Sequence, residues 1–186
     1  MRIISGYLRG RNISQPNNQL TRPLKDLTKE SIFNILKHSN LIKFNIEKSK
    51  ILDLFSGVGS FGLECISRGA KNVTFYENHS KTIKILEKNI LDLDCKKKTK
   101  VITTNIFDIK NCSQLYKKKF DLIFLDPPYK EKKLVKLIED ILFLKLLNNN
   151  GIIIIHRHKK EEEIYSKKFN ILKVKTYGIS KIIFGN

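Results

Sequence analysis

The tetrapeptide Asp126-Pro127-Pro128-Tyr129 places a carboxylate, two prolines and an aromatic ring directly after an apolar run, Phe120 to Leu125, broken only by Asp121. Two prolines hold φ at about −65° and remove two backbone donors, which leaves the carbonyls there free to accept hydrogen bonds. Asp126 adds a second kind of acceptor, and Tyr129 offers a flat face on which a base can stack. Together these residues suit a rigid pocket for an amino group. The competing reading is an ordinary β-turn after a strand, since Asp and Pro are common turn residues.

A second constellation lies upstream. Ile51 to Phe55 reads as a strand, and Gly57-x-Gly59-x-x-Gly62 follows with the spacing of a tight turn into a helix. Glu77 stands twenty residues beyond Gly57, at the end of the next strand, where an acid can accept from both ribose hydroxyls of a nucleoside. Asp53 lies four residues before Gly57. A carboxylate there repels a pyrophosphate and attracts a cation, which points away from a dinucleotide and toward S-adenosylmethionine, with its ammonium and sulfonium. Asp53 also reads as a polar residue near a strand start. Asn105 and Asp108 follow the third strand, where either could bond an adenine's exocyclic amine, or serve as a loop residue and a helix cap.

The elements that must position these groups alternate. Candidate strands are 51–55, 73–77, 101–104, 120–125 and 151–156, with helices over 61–67, 80–91, 131–146 and, more weakly, 160–166. This order predicts an α/β fold, a parallel sheet covered by helices on both faces. Segments 169–177 and 180–184 read as a closing antiparallel pair joined at Gly178. Residues 1–20 look like a small hairpin or extended arm, followed by an amphipathic helix over 24–36.

The chain of 186 residues carries a formal charge of +18, a balance that favours a polyanion such as nucleic acid. Thirty of its 36 basic residues are lysines, a usage that AT-rich coding also produces, so runs such as Lys96 to Lys98 and Lys117 to Lys119 also read as solvated loops. The arginines are more telling. Arg2, Arg9, Arg11 and Arg22 fall in the first twenty-two residues, with only Arg68 and Arg157 elsewhere. Phosphates are one partner for such planar forks. Cys65, Cys95 and Cys112 suggest neither a disulfide framework nor a zinc site, and with no secretory signal or membrane-spanning run a cytoplasmic protein is expected. His156 and His158 lack a nearby acid or cysteine to complete a metal set, so no metal is expected. His38 and His79 read as exposed or capping, and Glu161 to Glu163 as a solvated helix start.

Asp53-Leu54-Phe55-x-Gly57-x-Gly59, Glu77 and Asp126-Pro127-Pro128-Tyr129 together resemble a Rossmann-like class I amino-methyltransferase that uses S-adenosylmethionine. The amino terminus narrows the resemblance. Arg2-Ile3-Ile4-Ser5-Gly6-x-x-Arg9-Gly10-Arg11, Arg22-Pro23 and Glu30-Ser31-Ile32-Phe33-Asn34 are similar to the RsmD family of bacterial methyltransferases. Family members usually carry Arg-Pro-Thr, whereas this chain has Arg22-Pro23-Leu24-Lys25 and keeps Lys25 and Lys29.

The resemblance implies methylation of the N2 amine of a guanine (position 966) in 16S ribosomal RNA, within a small-subunit assembly particle. It implies a mostly parallel seven-stranded sheet with a C-terminal antiparallel strand, an RNA-contacting arm and helix over 1–40, a catalytic domain over 41–186, and a monomer. Asp126, Pro127, Pro128 and Tyr129 are the implied catalytic residues. The cofactor would be held by Asp53, Phe55, Gly57, Gly59, Glu77, Asn78, Asn105, Ile106 and Asp126. Arg2, Arg9, Arg11, Arg22 and Lys25 would contact RNA. Three other readings compete: a DNA adenine or cytosine N-methyltransferase, a non-catalytic RNA-binding assembly protein, and an NAD-dependent dehydrogenase. The short chain, the intact Gly57, Glu77 and Asp126, and Asp53 weigh against them in turn.

Overall fold

The computed structural model describes residues 1–16 and 24–186. Arg22, one of the expected RNA contacts, lies outside the described residues. Seven strands form one sheet: β1 (Lys50–Leu54), β2 (Asn72–Tyr76), β3 (Thr99–Ile102), β4 (Phe120–Leu125), β5 (Leu147–His158), β6 (Ile171–Tyr177) and β7 (Ser180–Gly185). Their order is β3-β2-β1-β4-β5-β7-β6. Strands β1 to β5 pair in parallel, while β7 runs antiparallel to both β5 and β6. The expected Rossmann-like α/β architecture is the observed one.

Alternation along the parallel strands divides the core in two. Ile51, Leu122, Phe124, Ile152 and Ile154 face α1 (Asp26–His38), α2 (Ser60–Ser67) and α3 (Ser80–Asp92). Leu52, Leu54, Ile123, Leu125, Ile153 and Ile155 face α4 (Leu134–Phe143) and the 3₁₀ turn Ile106–Asn111. Every second residue shares a face, so Asp53, Asp126 and His156 continue the first face and Arg157 the second. The Asp121 interruption of β4 is satisfied locally, because its carboxylate accepts from Lys50 N at 2.7 Å and Asn148 Nδ2 at 2.6 Å.

Phe61 of α2 stacks on Phe124 at 3.9 Å and on Phe33 of α1 at 5.3 Å between centroids. Such aromatic pairs add about 0.5–1.5 kcal/mol each beyond the area they bury. Gly62 is required here by packing, since a Cβ would lie 2.3 Å from Phe75 Cε1. The helix therefore lies close against the sheet, and its first turn sits near the ends of β1 and β4.

Residues 1–16 form a bent arm rather than a regular hairpin. One bridge pairs Arg2 with Asn12, and Ile3 N donates to Arg11 O at 2.9 Å. Between them the chain wraps the end of α2, where Tyr7 N and Leu8 N donate to Ser67 O and Oγ. Glu64 is fully buried and accepts from Ile4 N, Ser5 N and Arg68 Nε. Lys29 faces the same carboxylate at 3.5 Å and donates to Arg2 O and Ser60 Oγ. It is also fully buried, so it is a core cation. Burial pulls its pKa below the ordinary lysine value, opposed by Glu64 and Asp26.

Two expected helices change. No helix forms over 160–166, because the chain runs past Arg157 and gives that guanidinium the carboxylates of Glu163 and Glu161. Glu161 and Glu163 are thus partners of a buried arginine, and no helix starts here. The helix expected over 131–146 is shortened to α4. At its front, Glu131 N donates to Pro128 O and Glu131 Oε1 accepts from Lys133 N, which closes a tight loop. At its end Lys145 adopts φ of 52°, a left-handed cap.

Candidate active site

The carboxyl ends of β1, β2, β4 and β5 open onto one cavity of about 590 Å³. Its walls run continuously from Glu77 and Asn78, past Asp53, Phe55, Ser56 and Gly57, to Asp126–Tyr129 and His156. Met1, Gln15, Pro16 and Leu24 close one side, so the arm reaches the same opening. Parallel α/β sheets place ligands in this crevice outside the strand ends.

The turn after β1 is built for close approach. Phe55 has φ of 58°, Gly57 of 55° and Gly59 of 86°. A left-handed non-glycine residue costs about 1–3 kcal/mol and concentrates at functional sites. Phe55 is held there against Phe107, at 5.9 Å between centroids. A Cβ on Gly57 would meet nothing within 4 Å, so the backbone here borders open space. Gly59 does not line the cavity; a Cβ there would strike Leu86 at 2.5 Å. Glu77 ties the turn to β2: its Oε2 accepts from Gly57 N at 2.9 Å, and its Oε1 from Asn78 N and His79 N.

Asp53 has two tasks. Gly59 provides no side-chain cap for α2, and Asp53 Oδ2 instead accepts from Gly62 N at 3.0 Å. A carboxylate from a neighbouring strand thus fills the anion-favouring end of the helix. Asp53 is 1% exposed, and burial raises its pKa well above the ordinary 3.8; the Gly62 amide opposes this, while Asp126 and Glu77 add to it. The cavity of this basic protein is therefore lined by converging carboxylates. That donor set fits a cationic nucleoside and disfavours a pyrophosphate, so S-adenosylmethionine suits the residues present.

Residues predicted from sequence converge only in part. Asp126, Pro127, Pro128, Tyr129, Asp53, Phe55, Gly57, Glu77, Asn78 and Ile106 all line the cavity. Asn105 lies beside it, exposed, with its amide oxygen accepting from Phe107 N at 3.1 Å as a cap on the 3₁₀ turn. Asp108 is exposed on that turn. Arg2, Arg9 and Lys25 are exposed, while Arg11 donates through Nη2 to Asp92 O at 2.7 Å. The Pro128 carbonyl is not free, since it accepts from Arg157 Nη1 and Glu131 N, each at 2.9 Å.

Two functional neighbours escape sequence reasoning. His156 Nδ1 lies 2.7 Å from Asp126 Oδ1, an acid nearer than expected, and its Nε2 lies 2.9 Å from Ser180 Oγ. Arg157 is 1% exposed and clamps Pro128 O and Glu131 O against Glu163. Its rarity among lysines was an available signal. Tyr129 meets the His158 ring edge-on at 5.0 Å. Among the described residues, no group of three or more His, Cys, Asp or Glu could hold a metal ion.

Comparison with known proteins agrees with this geometry. The chain is 35% identical over 184 residues to ribosomal RNA small subunit methyltransferase D of Haemophilus influenzae, covering 96% of this chain and 90% of that one. A second protein of that name, from Buchnera aphidicola, is 35% identical and covers 93% and 86%. A crystal structure from H. influenzae described as that of a "putative methylase" superimposes with a TM-score of 0.75 at 32% identity, covering 99% of this chain and 96% of that one. The family described as "Conserved hypothetical protein 95" matches residues 1–186. The chain belongs to that family, the RsmD family.

Proposed function

We propose that this protein methylates the exocyclic N2 amine of a guanine in 16S ribosomal RNA, at position 966 as in its family, with S-adenosylmethionine as donor. The observation that carries this reading is the single cavity joining Glu77 and Gly57 at one end to Asp126–Tyr129 at the other. The names of the relatives supply the ribosomal RNA.

S-adenosylmethionine supplies an electrophilic methyl group on a sulfonium. Asp53 and Glu77 provide the negative surroundings and the ribose acceptors that suit it. At the other end, Tyr129 stacks on the unstacked guanine. The amine lone pair is delocalised into the ring, so the amine is a poor nucleophile. Asp126 and the Pro127 carbonyl accept its two N–H bonds, which turns the lone pair out of the ring. The proton would become acidic only as the new C–N bond forms and the methyl–sulfur bond breaks, with S-adenosylhomocysteine as the leaving group, and Asp126 would take it. A strong base is unnecessary. Positioning of this kind can supply up to about 7–11 kcal/mol of barrier reduction.

The exposed Arg2 and Arg9, with Lys25 and the outward side of Arg11, are the proposed phosphate contacts of a 1–40 arm and helix that serve the 41–186 catalytic domain. We place the reaction on a small-subunit assembly particle, in a cytoplasmic monomer. No helix among the described residues is long and apolar enough to cross a membrane. Nucleoside mass spectrometry after incubation with 30S particles tests the reading. N2-methylguanosine should appear; methylated adenine or cytosine in DNA instead would overturn it.

A further inference from the structure

Asp126 ends β4 and His156 lies near the end of β5, and the parallel register Leu125↔Ile155 sets the two side by side on one face. Asp126 Oδ1 lies 2.7 Å from His156 Nδ1, and His156 Nε2 lies 2.9 Å from Ser180 Oγ on β7. An ionised carboxylate can only accept. His156 must therefore carry its proton on Nδ1 and donate to Oδ1. In the neutral ring, the Ser180 hydroxyl must then donate to Nε2. The sequence of groups resembles a hydrolytic triad, but Ser180 is 4% exposed and sits behind the imidazole. It is an anchor and not a nucleophile.

His156 is itself 4% exposed, whereas the Asp126 side chain is 22% exposed and lines the cavity. Charge and shape thus run outward from a fixed hydroxyl, through a fixed ring, to a carboxylate with one oxygen committed. We propose that His156 is a positioning residue for methyl transfer: by holding Oδ1 it fixes the Asp126 rotamer, so that Oδ2 alone faces the substrate amine. This rests on the methyltransferase reading given above. Without the imidazole, the carboxylate can rotate about its side-chain bonds, and the amine loses a fixed acceptor. The effect belongs to the rate of transfer and not to cofactor affinity, because replacing His156 leaves the carboxylates of Asp53, Glu77 and Asp126 in the cavity.

His156→Asn, His156→Gln and His156→Ala separate this role from packing. The Asn amide nitrogen takes the place of Nδ1 and can still donate to Asp126. Gln places its amide nearer the Nε2 position, toward Ser180, and Ala donates nothing. We expect His156→Asn to keep kcat within about fivefold, and His156→Gln and His156→Ala to lose about 100-fold, the effect of a roughly 1 Å misplacement at a reacting group. KM for S-adenosylmethionine should stay unchanged in all three, with melting temperatures reported alongside.

Nitrogen-15 spectra of the imidazole supply a readout independent of turnover. They should show a protonated Nδ1 in the unaltered protein, with its proton resonance moving upfield in Asp126→Ala. A deprotonated Nδ1, or a wild-type kcat in His156→Ala, would overturn the proposal. So would a His156→Asn loss equal to that of Ala in a folded protein, or a matching loss of cofactor affinity. Failure of the unaltered protein to methylate ribosomal RNA would overturn the underlying function, while the spectra still report whether the bond exists.

Discussion

The Glu77 carboxylate and the Gly57 amide are joined by a 2.9 Å hydrogen bond, so the end of β2 is fastened to the turn that follows β1. Glu77 Oε1 is occupied by the amides of Asn78 and His79. The acid expected to receive a ribose is thereby held in place by three backbone donors before any ligand arrives. Glu77→Ala removes a charged acceptor worth about 1.5–3 kcal/mol, so S-adenosylmethionine affinity should fall about 10- to 100-fold by titration calorimetry. Unchanged affinity would contradict the assignment.

Asp53 should make cofactor binding depend on pH. Burial raises its pKa in the folded chain above the ordinary 3.8. The folded state therefore holds the proton to higher pH than the unfolded state does. This adds stability that is complete below the ordinary carboxylate range and is lost as pH rises through the raised value. A cationic ligand prefers the ionised form, so affinity should rise with pH over that same window, with one proton released on binding. Asp53→Asn should flatten both profiles. Calorimetry in buffers of different ionisation enthalpy counts the proton; a count of zero across the window would contradict the coupling.

Glu64 holds the arm to α2. Glu64→Ala would leave Lys29 without its close buried counter-charge and free the amides of Ile4 and Ser5. Breaking one side of a buried pair costs about 3–5 kcal/mol. At about 2–4 °C per kcal/mol for a chain of this size, Tm should fall by about 6–20 °C. Glu64→Gln retains an acceptor and should lose less. A shift under about 2 °C in Glu64→Ala would show that the pair contributes little.

Exposed Arg2 and Arg9 should act through phosphates. Their double replacement by Ala should reduce the slope of log affinity against log salt for ribosomal RNA by about 1.5–2. Methyl-donor affinity should not change. An unaltered salt slope would place the RNA elsewhere on the protein.

What could be read from sequence was local. The turn at Gly57, the acid at Glu77 and the tetrapeptide at Asp126 each lie at the end of one apolar run, so strand identification alone places them. The His156–Asp126 contact spans thirty residues and depends on the β4–β5 register, which apolar runs such as Ile152 to Ile155 do not specify. The burial of Lys29 is hidden from the sequence for the same reason. Its helical spacing looks like that of a surface lysine, and only Glu64, brought in by α2, makes it a buried cation. The absent helix over 160–166 shows tertiary pairing with Arg157 overriding local preference. Asn105 caps a turn because its side chain bonds its own backbone neighbour two residues on.

Asp126 should orient a guanine amine for methyl transfer. Tritiated S-adenosylmethionine, 30S particles and the Asp126→Ala protein test it in one assay, with cofactor affinity measured on the same preparation. Label should appear at guanine N2 with the unaltered protein and fall at least about 100-fold in Asp126→Ala, with cofactor affinity nearly intact. Undiminished label in Asp126→Ala, or loss of cofactor binding equal to the loss of transfer, would contradict it.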